Sequence, residues 1–426
     1  MIHRASPTCR SKTDRVSVFV IIVVVGLLVY DARAEPTPAD GLTEIEATRR
    51  FCAVGPEQAL VAARRLQGDA LVADSEVLPN PVLRANHARV FGGVTEAETV
   101  VGLGVPLGVG GRRFVLQDAA AAQRAQLDLA AAASRIDAAI AFRRAFVAAS
   151  MDGARLAIER RHQARYRKLL AKVRALEEGG ETSSYDALRL ETEAELHLAS
   201  IEVNASRLAA SRAWLTAMVG APVALSDDVD RLAQSGEPSS VSNPRVASLQ
   251  AQAEVQSIQA RAARRRWVPD LTLFAGYRAL DDGNATGHGF SLQLSVPLTF
   301  FDHGQGEARR AESGRALAEA RAEQAARDAR AASAAARAQL EALGQSAARV
   351  ERALTDAREV RVSAERLYLA GEGPLLAVLE VFGRLRALAR MRVDVAAALA
   401  DARLDAMQAA GRFGQRRLDA ACGVPR

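Results

Sequence analysis

Aromatic residues are scarce, 4% of 426 positions, while Ala, Leu, Arg and Glu dominate. That balance excludes a compact enzyme core and suits long helices packed on small side chains. Charge of one sign is in short supply too. The formal net charge is +6, but residues 1–34 carry Arg4, Arg10, Lys12, Arg15 and Arg33 against Asp14 and Asp31, so five cations less two anions leave +3 for the rest. So small an excess argues little for nucleic acid. The six histidines are scattered, no Ser/His/Asp or Cys/His set accompanies them, and nothing argues for an enzyme. GLGVPLGVGGRR (Gly102–Arg113) passes through glycines as a phosphate loop does. It lacks both the Lys-Ser/Thr ending and the GxGxxG spacing, which excludes nucleotide binding.

Only one long apolar run exists, Val16–Tyr30, fifteen residues between a basic start and the small-x-small site Ala32-Arg33-Ala34. It is short for a membrane span, so residues 1–34 read as a secretory signal peptide, with an uncleaved single-helix anchor as the alternative. No lipoprotein-type cysteine follows, because Cys9 precedes the run and Cys52 lies far beyond it. Cleavage would leave Cys52 and Cys422 near opposite ends of a chain in a disulfide-permitting compartment. A bridge and two separate cysteines both remain open.

What the sequence does hold is a duplication. AETVVGLGVPL leads through GVGGRR into an Ala/Arg/Leu-rich run that ends at Gly179; FSLQLSVPLTF leads through His303-Gly304-Gln305-Gly306 into an equal run that ends at Gly371. Gly111 to Gly179 is 68 positions and Gly304 to Gly371 is 67, which marks an internal repeat. The repeats are 35–242 and 243–426. Glu35 to Phe51, with Pro36, Pro38 and Gly41, reads as a loose leader. A helix from Pro56 must stop before Leu78-Pro79-Asn80-Pro81, and one from Asn243-Pro244 runs to Arg266 before Trp267-Val268-Pro269. Each helix hands over to strands, expected at Val82–Phe91, Ala97–Leu107, Leu271–Ala279 and Gly289–Phe300. The last alternates Phe290, Leu292, Leu294, Val296, Leu298 and Phe300 against Ser291, Gln293, Ser295 and Thr299. Gly220–Asn243, rich in Ser, Pro and Asp, reads as the linker between halves.

The long runs carry the stronger periodicity. Leu129, Ile136, Ile140, Val147, Met151, Ile158, Leu169 and Val173 step by seven and four, with His162 in the one gap. A rod of that length, on the order of 100 Å, cannot bury its stripe alone and needs neighbours. Each run breaks at glycines and returns, making a helical hairpin. Strands apolar on one face fit a soluble sheet or a lipid-facing barrel; in lipid only a closed barrel satisfies the backbone, and four strands cannot close. Three copies would supply about twelve.

Leu78-Pro79-Asn80-Pro81, Glu98-Thr99, Val105-Pro106-Leu107 with Gly110-Gly111-Arg112-Arg113, and in the second copy Val296-Pro297-Leu298, Phe301-Asp302-His303-Gly304 and Ala370-Gly371-Glu372, resemble a known family. It is the outer-membrane component of cobalt-zinc-cadmium and copper-silver efflux systems, a branch of the TolC-like outer membrane factors. The resemblance covers essentially the whole chain after the signal. It implies a mainly α fold with a small β part, in which duplicated strand-strand-long-helix-hairpin halves give four strands to a trimeric 12-stranded β-barrel continuous with an α-helical periplasmic barrel. It also implies a homotrimer in the outer membrane, docked to a periplasmic adaptor and an inner-membrane RND pump. The implied gate residues are Asp186 and Glu380, with Ala377 standing where many relatives have an acid. The implied adaptor contacts are the tips Gly179, Gly180, Glu181, Thr182 and Ser183, and Gly371, Glu372, Gly373 and Pro374; helix capping is the plainer role for the same residues. No cofactor is expected and no metal site: Glu193 with His197 has helical ligand spacing, but a solvated helix face explains it better, and His288 and His303 suit loop duty. A duct for drugs or secreted protein is the nearest alternative, and a periplasmic coiled-coil scaffold or adaptor is the alternative of another class.

Overall fold

The structure is a computed structural model that describes residues 41–90, 96–226, 228, 243–413 and 416–422. The expected signal peptide, Phe91 and most of the expected linker lie outside the described residues. Helices α1 (Glu44–Val54) and α2 (Glu57–Glu76) lead to strands β1 (Val82–Val90) and β2 (Glu96–Leu107), then to the 67-residue α3 (Arg112–Glu178) and its returning partner α4 (Ser184–Val219). The order recurs as α5 (Pro244–Arg264), a 3-10 turn Arg265–Trp267, β3 (Leu271–Asp281), β4 (Thr286–Ser295), the 65-residue α6 (Gln305–Leu369) and α7 (Leu375–Ala410), closed by α8 (Arg416–Ala421).

Three expectations need correction. The leader is helical from Glu44, because Glu46 accepts hydrogen bonds from the Thr43 N–H and hydroxyl at 3.0 and 2.7 Å and satisfies the helix start. Phe51 and Cys52 are then buried, and Phe51 stacks on Phe142 of α3. The fourth strand runs from Thr286 to Ser295, not from Gly289 to Phe300. Its partner β3 begins at Leu271, opposite which Val296 would fall, and Pro297 has no N–H to offer a ladder. Likewise α5 stops at Arg264 and tightens into the 3-10 turn before Pro269.

All four strands form one antiparallel sheet in the order β1-β2-β3-β4. Val101 faces Tyr277 and Phe290, Leu103 faces Ala275 and Leu292, and Val105 faces Leu273 and Leu294, so bulky apolar residues share one face. That face is bare: Phe290, Leu292 and Leu294 are 88, 66 and 61% exposed. On the other face Phe274 is buried over Gly102 and Gly276, where a Cβ at Gly102 would lie 2.7 Å from its ring, and Glu98 pairs with Arg278 at 2.8 Å. Among the described residues no helix packs extensively on either face, and the outer edges of β1 and β4 have no strand partner.

The helices form a layer with α3 inside it. Toward the sheet α5 packs against both α3 and α6, and toward the hairpins α7 does so, leaving α2 and α4 at one edge and α6 at the other. The expected stripe holds from Ile136 onward, since Ile136, Ile140, Val147, Met151, Ile158, His162, Leu169 and Val173 are all buried, whereas Leu129 at its start is half-buried. Its middle enters the main core with Phe142, Phe146, Leu404, Met407 and Phe413. Buried Arg143 is satisfied there by Glu44 at 2.8 Å and lies over the Phe413 ring. Cys52 and Cys422 are joined in a disulfide that fastens α1 to the chain's other end. Among the described residues no helix is long and apolar enough to cross a membrane.

Candidate gate at the hairpin tips

Both hairpins turn by the same backbone device. At the first tip the N–H of Glu181 donates to Leu176 O at 2.8 Å and that of Gly180 to Glu177 O at 2.9 Å; at the second, Glu372 donates to Leu367 O at 2.9 Å and Gly371 to Tyr368 O at 3.0 Å. Gly180 and Gly371 have φ of 74° and 73°, which L side chains adopt only with strain. The returning helices start differently. Ser183 accepts from the Tyr185 N–H at 3.1 Å, while Pro374 precedes α7 with an extended backbone.

The structure joins the two tips through one acid. Tyr368, from the last turn of α6, donates its hydroxyl to Asp186 Oδ2 at 3.1 Å, and the Thr182 hydroxyl donates to the same oxygen at 3.3 Å. Burial pushes the Tyr368 phenol up, the Thr182 hydroxyl opposes, and Asp186 adds to the rise, so the phenol keeps its proton and remains a donor at neutral pH. Around this bond Tyr166, Leu169, Val173, Leu190, Leu375, Val378 and Phe382 form an apolar cluster that binds the hairpins together. Glu380 does not join it. It is exposed and faces Arg384 one turn along its own helix, at 3.9 Å. Ala377, Gly179, Gly180, Glu181, Ser183, Gly371, Glu372 and Pro374 are exposed, with Thr182 and Gly373 half-buried. Sequence reasoning missed Tyr368, since no spacing links it to an acid 182 residues away.

Further along the hairpins lies a buried ionic cluster that the sequence pointed to only in part. The solvated helix face expected for His197 and Glu193 does not hold for His197, which is buried and turns its ring to Glu159, Nδ1 to Oε2 at 3.6 Å. Glu159 has no exposed surface and receives Arg386 through both oxygens, at 2.9 and 3.1 Å, with Arg390 at 3.6 Å. Glu159 is on α3, His197 on α4 and both arginines on α7, so one carboxylate ties three helices. Tyr166 packs against His197 with 4.7 Å between centroids and the rings tilted by 40°, and burial pushes its phenol up to about 12. Burial, reinforced by Arg165 and His197, drives His162 down to about 3. Burial, then Arg386, lowers His197 against the opposing carboxylates. Both rings are therefore neutral at pH 7.

The glycine motifs do structural work where helices meet strands. Gly111 and Gly304 precede α3 and α6 with φ of 63° and 88°, and a Cβ on Gly304 would strike the Ala263 carbonyl oxygen. Arg265 donates to the Gly111 carbonyl at 3.2 Å, Arg266 bridges Glu307 at 2.6 Å and Asp302 at 3.4 Å, and Arg112 reaches Glu307 at 3.7 Å. Arg113 donates to the carbonyl of Glu76. The GGRR and FDHG segments thus knit the two repeats at the junction with the sheet.

No family model matches this sequence, and no curated protein does. Solved structures do match over nearly the whole chain. CusC, crystallised in a study of folding and transmembrane channel formation, is similar with a TM-score of 0.72 and 17% identity, over 87% of this chain and 92% of that one. The outer membrane protein VceC of Vibrio cholerae gives 0.68 and 16%, over 87% and 97%. The outer-membrane channel OprN gives 0.70 and 14%, over 86% and 90%. The chain has the fold of these outer-membrane channels: mainly helical, with duplicated halves and a small four-stranded sheet.

Proposed function

We propose that the chain is the outer-membrane channel of a three-part efflux system, a passive trimeric conduit for divalent heavy-metal cations. One observation carries the reading: a sheet with a bare apolar face and two unpaired edges, on a chain with the fold of outer-membrane channels. In hydrocarbon such edges must be paired. Three chains joined β4 to β1 give about twelve strands, a number seen in closed barrels. The same threefold arrangement seats α6 of one chain beside α2 and α4 of the next. Leu317, Val360 and Leu367 on α6, and Leu188, Leu196, Val203 and Trp214 on α4, are exposed and would find partners there.

The helical end lies in the periplasm, where the tips meet an adaptor that links the conduit to an RND pump. Energy comes from that pump; the chain supplies a sealed path. The signal peptide delivers it. The metal cargo rests on the resemblance of Leu78-Pro79-Asn80-Pro81 and Gly110-Gly111-Arg112-Arg113 to the metal branch, and CusC stands among the similar structures. Loss of the gene should sensitise cells to divalent metal salts; sensitivity to organic toxins alone would favour a drug duct. Fractionation with an unboiled gel separates both from a scaffold, since a conduit runs as a heat-sensitive outer-membrane trimer and a scaffold as an extractable monomer.

Gating follows from the tips. Asp186 holds the first hairpin to the second through Tyr368, and Glu380 adds charge at the second tip. Separating the hairpins breaks the Asp186 bond and widens the bore. Replacing Asp186 and Glu380 with alanine should raise ion leakage through trimers in planar bilayers; unchanged conductance would remove both from the gate.

A further inference from the structure

A hollow of about 380 Å³ lies between α3 and α6, floored by α7. Its floor is aliphatic: Ala154 and Ile158 of α3, Leu354 of α6, and Leu385, Ala389 and Val393 of α7. Its rim is cationic, with Arg161, Arg165, Arg358 and Arg392. The acids nearby are already engaged. Glu351 holds Arg392 at 3.0 Å, Glu365 holds Arg361 at 2.7 Å, and Glu159 is taken by Arg386 and Arg390. Arg161 and Arg358 form no ion pair among the described residues. Burial, and next the charges of Arg361 and Arg161, hold Arg165 below its usual range.

His162 also lines the hollow, but it is 2% exposed and its buried Nδ1 presents no surface to a ligand there. An apolar floor under the guanidiniums of Arg161 and Arg358, which no acid among the described residues engages, is complementary to one kind of molecule.

We propose that this hollow binds a small organic anion, its apolar body on the α7 floor and its acid group among Arg161, Arg165 and Arg358. Guanidiniums suit a planar carboxylate or a sulfonate through paired charge-assisted bonds. Such a ligand touches α3, α6 and α7 at once and braces the two hairpins against each other. The proposal does not depend on the conduit reading, because every lining residue belongs to one chain.

The test uses the full-length mature protein in detergent with 4-iodobenzoate as probe, and 4-iodobenzyl alcohol and inorganic phosphate as comparison arms. Calorimetry should show saturable 4-iodobenzoate binding, with the neutral alcohol and phosphate each at least about tenfold weaker. An anomalous iodine peak should fall between Ile158, Leu385 and Arg161. R161Q/R358Q should weaken 4-iodobenzoate at least about tenfold while the thermal midpoint and unboiled-gel mobility stay put. Equal binding of the alcohol would reduce the hollow to an apolar crevice, and equal binding of phosphate would deny any role to its floor; either overturns the proposal. So does an iodine peak elsewhere, or no peak at millimolar probe, and these need no variant to fold.

Discussion

Helices α3 and α6 are copies in length, 67 and 65 residues, yet they live in different surroundings. Along α3 the buried set includes Phe142, Arg143, Phe146, Glu159 and His162, because α2, α4, α5 and α7 all pack on it. Along α6 eight residues are buried and five of them are alanines, because among the described residues only α5 and α7 pack extensively along it. A duplicated rod thus becomes a core in one place and an edge in the other. The difference teaches where the single chain stops being self-sufficient: α6 has the length of a core helix with one side left open, as β1 and β4 are strands with one side left open. In the proposed trimer, burial of α6 comes from another copy.

That contrast can be broken most sharply at α6. Aspartates in place of Leu317 and Val360, both more than half exposed in one chain, should abolish the unboiled trimer band while leaving the helical circular dichroism of the monomer. Persistence of the trimer would show that α6 faces solvent. The matching change on α3 acts within the chain. Glu159→Leu leaves Arg386 and Arg390 without their carboxylate and should cost about 3–5 kcal/mol, read as a fallen thermal midpoint. Adding Arg386→Leu should recover much of the loss; no recovery would mean that Glu159 acts by something other than this pairing.

A smaller effect sharpens the same contrast by pH. His162 titrates at about 3 when folded, against an ordinary value of 6.5. Between those values the unfolded chain binds more protons, so stability falls as pH drops through that window and the slope vanishes below it. His162→Phe should flatten the thermal midpoint's dependence on pH between 6.5 and 3 relative to the parent, whereas a change to the exposed His303 should not. Equal slopes in parent and His162→Phe would place His162 outside the buried cluster.

Periodic features were legible in the sequence. The stripe from Ile136 to Val173, the four strands, the paired glycine turns and the repeat all follow from spacing, because helices and strands impose their own periods on what they bury. Boundaries that depend on a partner were not. The fourth strand ends where β3 gives out, a fact of register that the alternation up to Phe300 conceals. The Thr43–Glu46 capping box was present in the leader but masked by its prolines and glycine. At the tips the sequence indicated Asp186 but not Tyr368, and for His197 it offered Glu193, its helical neighbour, where packing of a third helix delivers Glu159. The Cys52–Cys422 bridge was undecidable from spacing, since it needed both ends of the chain placed in one core.

Edge pairing is the claim on which everything else rests, and cross-linking reads it directly. Within one chain β1 and β4 are separated by two strands, roughly 14 Å apart, well beyond the reach of a disulfide. Cysteines placed in turn along β1 at Arg84, Asn86 and Ala88, each combined with one along β4 at Gly289, Ser291 or Gln293, can therefore bridge only between chains. Oxidation in intact outer membranes should convert at least one combination into dimers and closed trimers on a denaturing gel. Monomers alone from every combination would contradict the account.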